Sequence, residues 1–220
     1  KRINKFIHKK IKSMKQLILT VVTVLIFNVG FSQDEIGYGV DMEGNIPKGL
    51  NVGDKAPVFV LKDVDGKDVS STKLLETQEL VIIFYRGEWC PVCTKYLSNL
   101  NDSLEFITAK GAKVVAIGPE TLENTAKTKE KTNADFTILS DSDQKVAVAY
   151  EVLFDVTDKY AKKIKTFLRT SIAENNGSDK AQLPVPATFI IGKDGIIKFK
   201  QFDYNYKNRA SIKAIIDNLN

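Results

Sequence analysis

The chain has two cysteines, Cys90 and Cys93, and their spacing suits them to chemistry. They follow an apolar run, Val81 to Tyr85, that has the composition of a buried strand, and they begin a helical pattern that continues to Ile107. A spacing of three places both sulfurs on one side of the first helical turn, where unpaired backbone N–H groups favour an anion. A thiolate therefore forms there more readily than the free-cysteine pKa of roughly 8.5 implies. Pro91 suits the first helical turn.

Two other interpretations of the pair are weaker. A structural disulfide is possible in an exported protein, but closing so small a loop restricts the unfolded chain very little. A zinc site needs about four ligands, and the chain has no third Cys and a single His, His8, in a leader that we expect to be removed. The lack of other His also excludes Ser-His and Cys-His catalysis. The sequence favours a redox-active dithiol that needs no metal and no cofactor.

The basic charge of the chain is concentrated at its N-terminus. The formal charge is +5, but residues 1–32 hold seven Lys or Arg and no acidic residue. The remaining residues carry 25 basic and 27 acidic side chains, so nucleic-acid binding has no support in the charge pattern. A hydrophobic fraction of 43% with 27% charged residues is ordinary for one soluble domain.

Residues 1–32 have the pattern of a secretory signal. A basic region ends at Lys15, an apolar run extends from Leu17 to Phe27, and small residues precede a cleavage point before Gln33. Met14 is a plausible true start. The alternative is an uncleaved anchor, but the apolar stretch is shorter than the roughly 20 residues that span a bilayer. We expect an exported protein, periplasmic or extracellular, with no stable membrane insertion after cleavage.

Strand and helix patterns alternate after a Gly-rich lead-in, residues 33–51, that we expect to be flexible or loosely docked. The domain itself is assigned to residues 52–220. Its patterns predict strands at 56–61, 67–70, 81–85, 113–118 and 136–139, helices at 90–107, 120–132 and 140–150, a helical insertion at 155–174, a hairpin at 183–202 and a final helix at 209–219. This order predicts an α/β fold with helices on both faces of the sheet.

Three stretches in this order resemble a known family: VGDKAPVFVLKDVDGK near residue 52, FYRGEWCPVC around the cysteines, and VPATFIIGKDG near residue 190. Together they are similar to the peroxiredoxin-like alkyl hydroperoxide reductase and thiol-specific antioxidant family. The resemblance covers nearly all of residues 52–220. It implies a thioredoxin-like fold with a central mixed sheet flanked by helices and a helical insertion before the C-terminal hairpin.

The resemblance also implies roles for residues around the dithiol. In thioredoxin-like proteins the Trp-Cys-x-x-Cys unit faces a cis-proline at the start of the hairpin strand, and Pro186 occupies that place. The backbone of Val185 would then lie beside the Cys90 sulfur and pair with an extended substrate, while Trp89 would shield the sulfurs. The alternatives are a trans-proline that opens an edge strand and an ordinary half-buried tryptophan.

Two helper groups of peroxiredoxins are missing at their usual places. Those enzymes hold the attacking cysteine in a Thr-x-x-Cys unit, which places Cys90 at the threonine and Cys93 at the attacking cysteine. Pro186 falls where a later arginine orients the peroxide. Arg86 is the candidate replacement, as a cation that stabilises a thiolate and orients an oxyanion. The alternative is a surface arginine paired with Glu88 or with solvent.

Three functions fit this sequence. The first is an exported peroxiredoxin-like oxidoreductase that reduces peroxides with electrons from a thioredoxin-type reductant. The second is a thiol-disulfide oxidoreductase acting on disulfides of exported proteins, and the third is a binding module with a vestigial redox site. In either catalytic function one thiolate attacks and the other cysteine completes a Cys90–Cys93 disulfide. By analogy with thioredoxins the attacking cysteine would be Cys90, and by analogy with peroxiredoxins it would be Cys93. The natural substrate, the electron donor and the oligomeric state are left open.

Overall fold

The computed structural model describes residues 38–41, 44 and 46–219, which belong to one compact unit. The predicted signal sequence, its start at Met14 and its cleavage point before Gln33 lie outside the described residues, so they stay predictions. No helix in the described part of the chain is long and apolar enough to cross a membrane.

A seven-stranded mixed sheet forms the centre of the unit. Its strands are β1 (Val60–Asp63), β2 (Asp68–Ser70), β3 (Glu79–Phe84), β4 (Ala112–Gly118), β5 (Thr137–Ser140), β8 (Ala187–Ile191) and β9 (Ile197–Phe202). They lie in the order β2-β1-β5-β4-β3-β8-β9. Strands β3, β4 and β5 are parallel, whereas β8 and β9 continue the sheet antiparallel on one side and β1 and β2 on the other. A separate two-stranded sheet pairs β6 (Leu153–Asp155) with β7 (Gln182–Pro184).

Eight helices occur in the described residues: α1 (Ser71–Leu75), α2 (Pro91–Asn101), α3 (Leu104–Thr108), α4 (Leu122–Thr132), α5 (Lys145–Ala149), α6 (Asp158–Leu168), α7 (Ile172–Asn176) and α8 (Ile212–Asp217). Side chains along β3 alternate between two hydrophobic clusters, as the period of two in a strand requires. Val81 and Ile83 pack in one cluster with residues of α2, α3 and α8. Leu80 and Ile82 pack in the other with residues of α5 and β8. The prediction of a mixed sheet covered on both faces is therefore confirmed.

The predicted helix at 90–107 is divided in two. α2 ends at Asn101, and α3 begins at Leu104. Leu97, Leu100 and Ile107 are all buried in the same cluster, so the apolar spacing was read correctly. The spacing did not reveal the break because both helices bury their apolar side chains against the same face of the sheet.

The predicted insertion is more elaborate than a single helix. Helices α6 and α7 lie between β6 and β7, which pair with each other and close the insertion at its base. The apolar stretch 183–191, predicted as one hairpin strand, is therefore shared between two sheets. β7 ends at Pro184, and β8 begins at Ala187 beside β3.

The lead-in is held in more places than its glycine content indicates. Val40 is buried and forms an isolated bridge with Val156. Its neighbour Gly39 accepts a hydrogen bond from the backbone N–H of Thr157, and Gly49 donates one to Glu151. These contacts join the described part of the lead-in to the ends of β6 and to the insertion that follows it.

Candidate active site

The cysteines lie where β3 leads into α2, as predicted. All six residues of β3 are buried, which fixes the strand in the sheet, and a short loop follows it. Cys90 is the N-cap residue of α2 in an extended backbone conformation, with Pro91 at the first helical position. The Cys90 Sγ accepts a hydrogen bond from the backbone N–H of Cys93 at 3.3 Å. The positive end of the helix therefore acts directly on the Cys90 sulfur.

Cys90 and Cys93 form a disulfide, with their Cα atoms 5.2 Å apart. Both side chains are 0% exposed. The sequence placed Cys90 at the outer end of the helix, which is correct for the backbone, but its sulfur is covered. In the disulfide form a reagent reaches either sulfur only when covering residues move.

Arg86 lies on this disulfide. It is only 3% exposed, and its Nη2 donates to the Cys90 Sγ at 3.4 Å. Its Nη1 donates to the Tyr160 hydroxyl at 2.7 Å, and its guanidinium stacks 3.6 Å from the centre of the Tyr206 ring. The alternative of a surface arginine paired with Glu88 is wrong, since Glu88 pairs with Lys131.

Arg209 is a second arginine at the site, which sequence reasoning missed. Its Nη2 donates to the Cys93 Sγ at 3.2 Å, although the two residues are 116 positions apart. Its Nε donates to the Tyr206 carbonyl at 2.7 Å, and its guanidinium lies 5.2 Å from the centre of the Tyr96 ring. The pKa of Arg209 is lowered to about 10, mainly by burial and also by the positive charge of Arg86, while Tyr96 opposes the shift. Each sulfur therefore has its own guanidinium.

The loop before the cysteines is shaped by Gly87 and by a buried carboxyl. Gly87 has φ +146°, and a Cβ at this position would lie 2.8 Å from Trp89 Cδ1 and 3.2 Å from Glu120 Oε1. The Glu120 carboxyl accepts hydrogen bonds from the backbone N–H of Glu88 at 2.6 Å and from the Thr128 hydroxyl at 2.8 Å. Glu120 thus fixes the loop that carries both Arg86 and Trp89.

Glu120 is fully buried, and burial is the main cause that raises its pKa, while the hydrogen bonds from Glu88 and Thr128 lower it. Tyr85 lies beside it, also fully buried, and its own pKa is raised well above the ordinary value by burial and then by the Glu120 charge. The negative charge of Glu120 is therefore disfavoured in this environment. A proton on Glu120 is retained to higher pH than on a solvated glutamate.

Trp89 is buried rather than half-buried, in the hydrophobic cluster that contains both cysteines. The Arg86 guanidinium lies 5.4 Å from the centre of its ring. Its indole Nε1 is buried without a hydrogen-bond partner. Trp89 also lines a groove of about 430 Å³ together with Pro91, Thr94 and Leu168. This groove adjoins the first turn of α2.

The predicted cis-proline is wrong. No cis peptide bond occurs in the described residues, so the Val185–Pro186 bond is trans. Val185 belongs to the same buried cluster as the cysteines, but its backbone N–H donates to the Val152 carbonyl at 2.7 Å. That N–H is therefore not free to pair with an extended substrate. The chain continues from the small β6-β7 sheet into β8 here, and the Val152 contact joins the two.

The described residues contain no group of three or more His, Cys, Asp or Glu side chains that could hold a metal. The groups that meet at the site are two sulfurs, two guanidiniums and the aromatic rings around them.

The sequence matches the AhpC/TSA family over residues 52–200. It is 29% identical over 166 residues to a putative peroxiredoxin of Mycobacterium tuberculosis, an alignment that covers 76% of this chain and 92% of the relative. It is also 29% identical over 148 residues to a putative peroxiredoxin of Coxiella burnetii, covering 67% of this chain and 85% of the relative.

Solved structures agree with this match at the level of the fold. The crystal structure of peroxidoxin BcpB from Mycobacterium tuberculosis superposes with a TM-score of 0.60 at 20% identity, covering 77% of this chain and 96% of that one. Peroxiredoxin Q of Xanthomonas campestris superposes with a TM-score of 0.53 at 18% identity, covering 72% and 85%. These neighbours confirm the thioredoxin-like fold expected from the three sequence stretches.

Proposed function

Since the chain belongs to the AhpC/TSA family and is a peroxiredoxin-like oxidoreductase, we propose that it is a thiol peroxidase that cycles between a Cys90–Cys93 dithiol and the disulfide. One observation carries this proposal: the two cysteines form a disulfide at the start of α2, and each sulfur accepts a hydrogen bond from an arginine, Cys90 from the buried Arg86 and Cys93 from the half-buried Arg209. A vestigial site would have no reason to keep two guanidiniums on its sulfurs, because withdrawing a charge from water is costly unless it has a partner.

The reaction has three steps. One thiolate attacks a peroxide oxygen, the O–O bond breaks, and the alcohol or water leaves with a proton while the sulfur becomes a sulfenic acid. The second sulfur attacks that sulfenic acid, which releases water and forms the disulfide. A thioredoxin-type dithiol reductant then exchanges with the disulfide, gives up two electrons and restores both sulfurs. The guanidiniums stabilise the thiolates and the oxygen anion that leaves.

Cys90 is the better-supported attacker for disulfide substrates. Its sulfur accepts from Arg86 and from the backbone N–H of Cys93, so a charged donor and the helix start both favour its thiolate. The Cys93 sulfur accepts from Arg209. For peroxides, the variants Cys90→Ser and Cys93→Ser identify which cysteine attacks. The variant that still consumes one equivalent of peroxide and forms a trappable sulfenic acid contains the attacker.

The test is a steady-state assay with hydrogen peroxide, a small alkyl hydroperoxide and a mixed disulfide, with a thioredoxin system as reductant. We expect peroxide turnover far above the rate of a free thiol at the same pH, and loss of steady-state turnover in Cys90→Ser and Cys93→Ser. Lys193→Gln, which removes an exposed charge in the turn before β9, is the matched control and should keep full activity. Peroxide consumption no faster than that of free cysteine would contradict the proposal.

Disulfide exchange on other proteins is the second candidate. The Cys90 N-cap and the neighbouring Trp89 favour it. The trans bond before Pro186 and the hydrogen bond of the Val185 N–H to Val152 disfavour it, because they remove the expected backbone contact with an extended substrate. A mixed-disulfide turnover that exceeds the peroxide turnover would make disulfide exchange the first candidate function and peroxide reduction the second.

Export belongs to the same proposal, and it is supported by the basic region and the apolar run of residues 1–32. An exported dithiol peroxidase needs a reductant in its own compartment, since an oxidising environment does not keep thiols reduced. Expression of the full chain in a bacterium, followed by fractionation and N-terminal sequencing, tests this. We expect a periplasmic protein that begins at Gln33. An intact N-terminus in the cytoplasmic fraction would contradict export.

A further inference from the structure

The two arginines at the disulfide come from distant parts of the chain and meet one sulfur each. Arg86 lies in the loop after β3, and its Nη2 donates to the Cys90 Sγ at 3.4 Å. Arg209 lies in the segment before α8, and its Nη2 donates to the Cys93 Sγ at 3.2 Å. The usual pair of cysteines at a helix start offers a favourable environment only to the outer sulfur. Here the inner sulfur has a charged donor as well.

Neither guanidinium is balanced by an acidic side chain within the described residues. Arg86 is partnered by the Tyr160 hydroxyl and by aromatic rings, and its Nε is buried without a hydrogen-bond partner. Arg209 is partnered by a backbone carbonyl and by the Tyr96 ring. The acidic groups of the neighbouring loop are engaged elsewhere: Glu88 pairs with Lys131, and Glu120 accepts from the loop backbone and from α4.

The disulfide form therefore places a buried guanidinium, that of Arg86, and a half-buried one, that of Arg209, next to a neutral group. A buried charge without a counter-ion is unfavourable, and a thiolate on each sulfur would neutralise both. Each thiolate would repel the other but would be attracted by two guanidiniums, one of them in direct hydrogen-bond contact. The N–H of Cys93 adds a further donor to the Cys90 sulfur.

We propose that Arg209 and Arg86 each hold one cysteine as a thiolate, so that reduction of the disulfide takes up two electrons and no protons near neutral pH. With glutathione as the reductant, the S–S bond accepts two electrons and becomes two thiolates. Two glutathione thiols lose their protons to the solvent and join as oxidised glutathione. The inference rests on the dithiol of the proposed function, but it does not depend on which substrate is reduced.

Arg209 thus has a direct role at the reacting atoms that the sequence did not assign to it. It supplies the cation that the family pattern places near Pro186, from a different segment and against the inner sulfur. The backbone holds this segment on α2, because the Tyr96 hydroxyl donates to the Ala210 carbonyl at 3.0 Å. Tyr96 and Tyr160 do not titrate in the range used for the test, since burial raises their pKa values above an already high ordinary value.

The redox equilibrium with glutathione measures this inference without any turnover. Glutathione keeps its thiol proton between pH 5 and 7.5, so the pH dependence reports the protons on the protein. If both cysteines are thiolates, the equilibrium constant for reduction rises 100-fold per pH unit. It rises tenfold per unit if one is a thiolate, and it does not change if neither is. We expect the 100-fold slope for the unmodified protein over at least one pH unit.

Variants test whether the arginines cause the pH dependence of this equilibrium constant. Arg209→Gln should reduce it to tenfold per unit, and Arg209→Lys, which keeps the charge, should restore it towards 100-fold. Lys193→Gln should leave it unchanged. Circular dichroism of each variant establishes that it is folded before the equilibrium is measured.

A slope of tenfold or less in the unmodified protein would overturn the inference, as would an Arg209→Gln slope equal to that of the unmodified protein. A direct count gives the same answer if Arg209→Gln does not fold. Thiolate absorbance at 240 nm should report two thiolates per reduced protein at pH 7, and one or none would overturn the inference. The proposed function is judged separately, since a protein with the 100-fold slope but no peroxide turnover would lose the function and keep the inference.

Discussion

Aromatic rings, rather than acidic side chains, fix the arginine nearest the helix start. The Arg86 guanidinium lies over the Tyr206 ring at 3.6 Å and within 6 Å of the rings of Trp89 and Tyr160. A ring face attracts a cation without neutralising it. Arg86 is therefore held in place while its full charge stays available to the sulfur. An acidic partner at the same place would have fixed the side chain and cancelled its effect on a thiolate.

Gly87→Ala is the residue-scale change with the clearest expected outcome. Gly87 has φ +146°, and an added Cβ would collide with the Trp89 ring. We expect the variant to be less stable by about 1 to 3 kcal/mol, and the loop to shift so that Arg86 leaves the Cys90 sulfur. Urea unfolding measures the loss of stability, and the fluorescence of Trp89, the only tryptophan, measures the shift.

Gly195→Ala is the matched control for that variant. Gly195 also has a positive φ, +80°, but a Cβ there meets nothing within 4 Å. It should share the backbone cost without the change in Trp89 fluorescence or in peroxide turnover. Equal fluorescence and turnover in Gly87→Ala and the unmodified protein would show that the loop tolerates a side chain.

At the residue scale the sequence predicted the cysteines, Trp89 and Arg86 because they lie within one stretch of eight residues, 86–93. Residues that are close in sequence across a strand, a turn and the first turn of a helix are also close in space. Arg209 could not be found this way, since it lies 116 positions from Cys93 and no periodic pattern marks it. The rarity of arginine gave one signal: only Arg86, Arg169 and Arg209 follow residue 32, and two of these three donate to the sulfurs.

Helix α2 is anchored on the sheet by side chains that lie well away from the chemistry. Leu97 is completely buried in the cluster that contains both cysteines. Leu97→Ala should cost about 2 to 5 kcal/mol of unfolding free energy, because the cavity left behind adds to the lost burial. Val148→Ala, at a side chain that is 59% exposed on α5, should change stability by less than about 0.5 kcal/mol. Urea unfolding of both variants checks the difference, and equal losses would mean that α2 is not packed as described.

Helix α5 depends on a buried aspartate before its first turn. The Asp141 carboxylate accepts from the N–H groups of Val146 and Ala147 at 3.1 and 2.8 Å. Burial raises the pKa of Asp141 to about 7, and those hydrogen bonds oppose the shift. The folded state thus keeps a proton that the unfolded chain loses near 3.8, so this stabilisation is complete below 3.8 and is lost as the pH rises to about 7.

Asp141→Asn should therefore flatten the pH dependence of stability between pH 4 and 7, by about 4 kcal/mol at most. Glu120, whose pKa is also raised by burial, keeps a dependence of the same sign. Asp217→Asn is the control, since this exposed carboxyl on α8 pairs with Lys213 and does not contact Asp141, so its removal should not flatten the curve. Chemical unfolding at several pH values measures all three proteins. An unchanged slope in Asp141→Asn would mean that this carboxyl is ionised in the folded state.

At the element scale, patterns predicted which segments are strands but not which strands they join. The apolar stretch 183–191 is buried throughout, as predicted, yet its first part pairs with β6 and its second with β3. Burial on both faces gives the same composition in either sheet. The trans bond at Pro186 and the hydrogen bond from Val185 to Val152 follow from this division, so the error about the cis-proline and the error about the hairpin have one cause.

For the whole molecule, the redox state of one small loop should determine how stability depends on pH. The loop closed by the disulfide spans four residues, so its effect on the unfolded chain amounts to about 2 kcal/mol. Reduction removes that constraint but gives the guanidiniums of Arg86 and Arg209 their counter-ions. The unfolded chain takes up a proton on each thiol below about pH 8.5, whereas the folded site keeps both as thiolates.

The reduced protein should therefore become more stable as the pH rises from 5 to 8.5, by about 1.4 kcal/mol per pH unit for each thiolate. The disulfide form lacks this contribution. We expect the reduced form to be the more stable one above neutral pH, although most disulfides stabilise the proteins that contain them. Towards pH 5 the order should reverse, because the folded thiolates then also gain protons.

Urea unfolding with and without a reductant, at pH 5 and pH 8, tests whether the stability curves of the reduced and disulfide forms cross between these pH values. Arg209→Gln should shift the crossing to higher pH, since one thiolate loses its cation. The double variant with serine at both cysteines should respond to pH in the same way with and without the reductant. If the disulfide form is the more stable at pH 8, the guanidiniums do not hold the sulfurs as thiolates, and their burial at this site has another cause.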